Sequence, residues 1–438
     1  MNIIYSNKIY ILILILISFL VGSFYAKRDL VSFSAPPMFG GTDQLDYNNM
    51  AYAVMIKNIP GIIMTDEYKE PFKKFKNLKN NYISRVLNSK NHNLKTYAYR
   101  PLLYSIVLGM TYKVFGYSFI VARVMIIILI LIGTIFLFLL IKNITNKDIA
   151  FFGTLLFFLF PNVIKYSNLI LSEIFVVTLL IIFLYILQKS FLTNKSKYWV
   201  LTGLFLGMLI LAKQMYYLIS IPLISFFIFY LIKNREYNKI YLILVPFSLI
   251  VLPWFTYNIG ITANLDLKTG TSGWHDMPSV YSKEYLEGNN RFKIREDIFR
   301  KYVKKHNIDK IDQTDHINRA IYGKKIFFEM VTSKDTLVLI PKLMYFKLKN
   351  ALISNYYIYL ILFIISIISI IFLIKVKQLS MYIISIIFIA YMNLFIISVT
   401  FSDSGRLISS TFPIFIIIFC ILIYNFFLIN SNKYKILI

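Results

Sequence analysis

The chain is short of acid, histidine and cysteine. Its 438 residues hold 21 Asp and Glu against 47 Lys and Arg, with four His and a single Cys. One cysteine, Cys420, excludes a disulfide within the chain and any thiolate-built metal site. The histidines His92, His275, His306 and His316 lack a ligand spacing such as HExxH. No metal and no cofactor is therefore expected. The acid deficit leaves a formal net charge of +26. In a soluble chain that charge would point to nucleic acid. Here the basic residues flank apolar runs or lie in two long polar loops. That suits membrane topology and anionic lipid phosphates, and no nucleic-acid partner is expected. Lys together with abundant Ile, Asn and Tyr is also what AT-rich coding gives. Single lysines therefore carry weight only where their location is costly.

What is plentiful is apolar sequence. Hydrophobic residues make up 58% of the chain and mean hydropathy is +0.65. Soluble globular chains run at about 45–50% apolar. The excess sits in blocks of about 20 residues, long enough to cross about 30 Å of hydrocarbon. Barrel strands would alternate apolar and polar residues, and these blocks do not. The expected fold is all-α: a polytopic membrane bundle of about 10 helices, treated as a single domain over 1–438, among membrane lipids. Ile9 to Phe24 follows Lys8 as a signal peptide would, but without a small-residue cleavage site. It is read as a retained first helix.

Candidate spans lie at 8–26, 118–141, 148–164, 168–188, 198–212, 215–232, 239–258, 351–374, 379–399 and 407–429. A further apolar helix, 101–116, is marginal in length, and Arg100 and Lys113 suit an interfacial position. If it does not cross, the basic short loops at Lys142/Lys147, Lys189/Lys195/Lys197, Lys233/Arg235/Lys239 and Lys375/Lys377 all fall on one side. The positive-inside rule then makes both ends cytoplasmic. Both long loops become extracytoplasmic: 27–117 and 259–350, each bearing juxtamembrane helices. Ser282 to Lys305 is amphipathic, Thr314 or Asp315 is placed to cap a helix, and Ser333 is placed to cap Lys334 to Lys349.

Ionisable residues in or beside spans are costly and mark function by default. Asp43 stands in the first outer loop, with Asp46 and Tyr47, on a short helix at the membrane surface. It is either a candidate base or a solvated cap. Glu173 lies near the outer end of the fourth span, where it is either functional or an acid favoured by the helix dipole. Arg100, Lys213 and Arg406 all fall on the outer side, against the charge rule. Each either snorkels or joins a cation cluster that would bind a phosphate. Trp254, after Pro253, reads first as an interfacial anchor and second as a stacking surface.

The order of short motifs resembles a family. It runs through Asp43-Gln44-Leu45-Asp46-Tyr47, Arg100-Pro101-Leu102-Leu103-Tyr104, Ala122-Arg123, Leu171-Ser172-Glu173, Leu211-Ala212-Lys213, Leu252-Pro253-Trp254 and Gly405-Arg406-Leu407. These markers, from about 43 to 413, resemble the GT-C superfamily of polyprenyl-phosphate-sugar-dependent glycosyltransferases, in particular the protein mannosyltransferase and lipid A aminoarabinose transferase group. Gln44, Leu102 and Leu407 depart from the family's Glu, Pro and Tyr at those places. The resemblance implies Asp43 as general base and Glu173 as a second catalytic acid. Arg100, Lys213, Arg406 and Tyr47 are implied as substrate-binding residues.

The function so implied is inverting, metal-independent transfer of a sugar from a polyprenyl-phosphate donor lipid to an acceptor at the extracytoplasmic face. The acceptor, whether lipid, glycan or protein, is not identified. Fixed cations would stabilise the departing phosphate and a carboxylate would take the acceptor's proton. The alternative is a polytopic transporter or flippase of a lipid-linked saccharide. It calls for a polar path and repeats, and the middle spans offer few ionisable groups. Residue usage and short loops favour a prokaryotic plasma membrane.

Overall fold

The computed structural model describes residues 9–20, 42–58, 62–64, 93–95, 100–158, 169–262, 274, 277–308, 316–353, 357–375, 380–400 and 411–430. Apolar helices account for most of it: α1 (Ile9–Leu20), α4 (Phe119–Ile144), α5 (Lys147–Phe158), α6 (Ser172–Thr193), α7 (Ser196–Ala212), α8 (Tyr216–Lys233), α9 (Tyr237–Thr262), α15 (Tyr357–Lys375), α16 (Met381–Thr400) and α17 (Phe412–Asn430). Each falls on one of the ten expected spans. Among the described residues, four helices (α4, α6, α8 and α9) are individually long and apolar enough to cross a membrane. The all-helical expectation holds, with one small addition. Strands β1 (Ile62–Met64) and β2 (Asn93–Lys95) pair antiparallel, Ile63 opposite Leu94. Three residues are too few for an alternation pattern to be readable in sequence.

The bundle closes around α6, whose side chains are buried on nearly every face. Lateral order comes from small residues and amides. On α7, a Cβ at Gly203 would stand 2.1 Å from the Ile243 carbonyl oxygen of α9, and one at Gly207 would meet Ile250 at 3.0 Å. This small-xxx-small pair lets two backbones touch, the packing device of membrane helices. Ser190 of α6 bonds Thr202 of α7 at 2.9 Å, and Asn143 of α4 donates to Gln188 of α6 at 2.9 Å. These contacts make α6 and α7 antiparallel and α7 and α9 parallel. The start of α6, the end of α7, the start of α8 and the end of α9 therefore share one end of the bundle.

That end is covered by α2 (Thr42–Lys57) and α3 (Leu103–Phe115). Gly109 sets their approach: a Cβ there would lie 2.5 Å from the Ala51 carbonyl oxygen. Residues 46–54 of α2 are all buried. The sequence reading put this helix on the membrane surface; it is instead enclosed by protein, as a helix buried all round must be. Trp254 differs in the same way. It is 3% exposed, packed with Met50 and Leu102 and stacked on Tyr257 at 5.5 Å. The helices laid over it remove it from any anchoring position.

The second polar loop folds into short helices: α10 (Met277–Val280), α11 (Lys283–Leu286), α12 (Arg291–Lys305), α13 (His316–Val331) and α14 (Lys334–Ile353). Their small core gathers Val280, Tyr281 and Leu343 with Tyr285, Phe327 and Leu339. Ser282 accepts from the Tyr285 N–H at 3.3 Å, and Ser333 from the Thr336 N–H at 3.3 Å, the latter as its sequence position suggests. The amphipathic stretch 282–305 is broken at Gly288, whose φ of 82° ends α11. Arg319 forks onto Glu296 at 2.6 and 3.4 Å and fastens α13 to α12. Burial alone would raise the Glu296 pKa; Arg319 and Arg295 outweigh it and hold the carboxyl below its usual range.

Candidate functional site

The covered end gathers buried charge. Asp46 leaves the first turns of α2 and meets Arg100 at 3.2 Å. Glu173, the second residue of α6, is 1% exposed and meets Lys213 at 3.5 Å. Lys213 stands where α7 stops in extended backbone before α8 begins. Unpaired, any one of these buried charges would cost several kcal/mol, on the order that pairing must offset. Their positions are therefore interdependent.

Tyr47 joins the two pairs. It follows Asp46, and its hydroxyl accepts from Ser172, the residue before Glu173, at 3.1 Å. Its ring lies edge-on to Tyr104 of α3 at 5.2 Å, and Tyr104 lies 5.7 Å from Phe175. Next along α2, Asn48 accepts from Tyr112 at 2.7 Å and donates to the Tyr117 hydroxyl. Arg123, fully buried near the start of α4, acts electrostatically with Tyr112. The result is a continuous polar seam across α2, α3, α4 and α6.

Four of the six residues singled out in sequence thus lie in this seam: Arg100, Tyr47, Glu173 and Lys213. Asp43 belongs to the first turn of α2, three residues before Asp46, and its side chain lies outside the described residues. Arg406 lies in 401–410, also outside them. Three further residues of the seam had no site role assigned from sequence. Asp46 reads in sequence as a surface acid and is buried on Arg100. Asn48 has no charge to draw notice. Arg123 did carry a usable signal, a cation inside an apolar run.

Chemically, the seam holds two cations paired with carboxylates, Arg100 and Lys213, beside a third cation, Arg123. A phosphate oxygen is a competing acceptor for both of these paired cations. The profile of the dolichyl-phosphate-mannose-protein mannosyltransferase family matches residues 99–257, the stretch running from Arg100 past Glu173 and Lys213 to Tyr257. The oligosaccharyltransferase of Archaeoglobus fulgidus in its apo form superposes over 98% of this chain and 52% of its own, with TM-score 0.56 and 12% identity. The same enzyme with Zn and sulfate gives 0.54 and 13% over 96% and 50%. At this identity the likeness shows a shared fold. The chain spans about half the length of that oligosaccharyltransferase. ArnT from Cupriavidus metallidurans, bound to undecaprenyl phosphate, aligns with TM-score 0.43 and 12% identity over 95% of this chain and 78% of its own. No curated protein sequence matches significantly.

Proposed function

We propose that the protein transfers a sugar from a polyprenyl-phosphate-linked donor to an acceptor hydroxyl, at the extracytoplasmic face of a prokaryotic plasma membrane. The observation that carries this reading is the pair of buried acid–cation contacts, Asp46–Arg100 and Glu173–Lys213, joined through Tyr47 and Ser172 at one end of a membrane bundle. A lipid-linked donor brings its tail within the bilayer and its phosphate to the end of the helices. Arg100 and Lys213 are the cations there, and Arg406 is assigned to the same group. As the sugar–phosphate bond breaks, negative charge grows on the phosphate. Fixed cations stabilise that charge more than they stabilise the ground state. They do the work with no metal in the step.

Asp43 takes the proton of the acceptor hydroxyl. Glu173 holds Lys213 and orients the reacting groups, and Tyr47 keeps α2 and α6 in register. Acceptor and phosphate stand on opposite faces of the sugar ring, so one displacement inverts the anomeric centre through an oxocarbenium-like transition state. The test is to incubate the purified protein with a panel of radiolabelled polyprenyl-phosphate sugars, with and without a chelator. Label should pass to an acceptor from one donor and be indifferent to the chelator. Movement of intact donor across the membrane without transfer would replace the reading with that of a flippase. Loss of transfer on chelation would remove the metal-free step.

A further inference from the structure

Within the seam, the Tyr104 hydroxyl is left idle among the described residues. Tyr104 is fully buried, and its hydroxyl has no hydrogen-bond partner among those residues. A buried O–H without an acceptor destabilises a fold, and a phenylalanine of the same shape would avoid that cost. The ring is also held on two sides. Tyr47 meets it edge-on at 5.2 Å, and Phe175 lies at 5.7 Å. Tyr47 is bonded to Ser172, so the neighbours of Tyr104 are attached to residues 172 and 175. Glu173 lies between them on the first turn of α6, and its charge acts on the Tyr104 phenol. Lys213 and Tyr104 are among the groups around Glu173.

We infer that Tyr104 is a positioning residue for Glu173: its O–H becomes the donor that holds the Glu173 carboxylate when Lys213 turns to the phosphate of a bound ligand. The inference rests on the transferase reading for its consequence and on the local geometry for the contact. Lys213 reaches Glu173 at only 3.5 Å, the weak end of an ion-paired hydrogen bond. Hydrogen bonds of an active site are commonly long in the empty enzyme and tighten in the complex. When Lys213 moves, the buried Glu173 carboxylate is one donor short. Tyr104 is placed to prevent that, since its phenol is protonated at neutral pH and it donates to nothing else. The cost of an idle hydroxyl in the empty protein is then a sign of use in the loaded one.

The test uses the purified full-length protein and Tyr104→Phe. The variant should melt no lower than the parent. The carboxylate stretching bands of Glu173, isolated in each background as the infrared difference against Glu173→Gln, should shift when polyprenyl phosphate is added to the parent. That shift should be altered in Tyr104→Phe. With a sugar donor, kcat should fall about tenfold, the size of one lost hydrogen bond to a charged group, while KM for the donor stays within about twofold. A purely structural tyrosine would move the melting point and leave the bands alone. 3-Fluorotyrosine at position 104, a more acidic phenol, should move the bands in the opposite sense and keeps the test open if the Phe variant fails to fold. Identical Glu173 bands in parent and variant would overturn the inference, whatever kcat does. Altered bands in a protein that transfers no sugar would leave the contact standing and remove the transferase reading.

Discussion

Asp43 and Asp46 stand one turn apart on α2, and they should answer differently to the same change. Asp46 is tied to Arg100, so Asp46→Asn loosens the cation proposed to grip the donor. Its KM for the donor should rise about tenfold, the size of one charge-assisted bond. Asp43→Asn removes the proposed base while keeping shape. Its kcat should fall by about 10²–10⁴-fold with donor KM little changed. Steady-state kinetics on the two variants separate the roles, and near-normal turnover by Asp43→Asn would move the base to Glu173 or to the acceptor itself. Sequence reasoning reached the charged residues because charge in apolar surroundings is costly and therefore visible. It singled out Glu173, Lys213 and Arg100 one by one. That Lys213 answers Glu173 and Arg100 answers Asp46 was not legible, because partners 40 and 54 positions apart meet only through the fold.

Elements were easier to read than contacts. Apolar runs of membrane length declare themselves, and so do Ser333 as a cap and the helix at 101–116. The burial of α2 was hidden because it depends on Gly109 admitting α3 to the α2 backbone. The helical cap of the second loop hid a different feature, Lys347 on α14. It is 1% exposed, with its ammonium 4.1 Å from the Tyr281 ring centre. Burial lowers its pKa to about 7 and raises that of Tyr281 to about 12. The sign follows from proton counting. Between about 7 and the ordinary lysine value, the unfolded chain binds the proton and the folded chain does not. Stability of this cap should therefore rise as pH increases from about 7 to 10, and stay flat below 7 as far as Lys347 is concerned. Hydrogen-exchange protection factors of α10 to α14, corrected for the intrinsic rate at each pH, should rise across that range in the parent. Lys347→Met should remove the slope and stabilise the cap at pH 7, on the order of 1–3 kcal/mol. An unchanged slope in Lys347→Met would assign the effect to another group.

At the scale of the whole molecule, the described bundle helices gather their buried charges, Asp46, Arg123 and Glu173, at one covered end and keep amide and hydroxyl contacts between helices elsewhere. Composition alone made the bundle legible, because 58% apolar residues in long blocks leave few other folds. The site was legible as a face but not as an arrangement. The central claim is that the cations of this face hold the phosphate of a lipid-linked sugar while it departs. Transfer from a polyprenyl-phosphate sugar by purified protein in liposomes, parent beside Lys213→Ala, tests it most directly. Loss of a fixed group that stabilises transition-state charge costs about 10²–10³-fold in kcat. The account predicts a fall of that size in Lys213→Ala at matched insertion and melting temperature. Equal rates in the two proteins would contradict it.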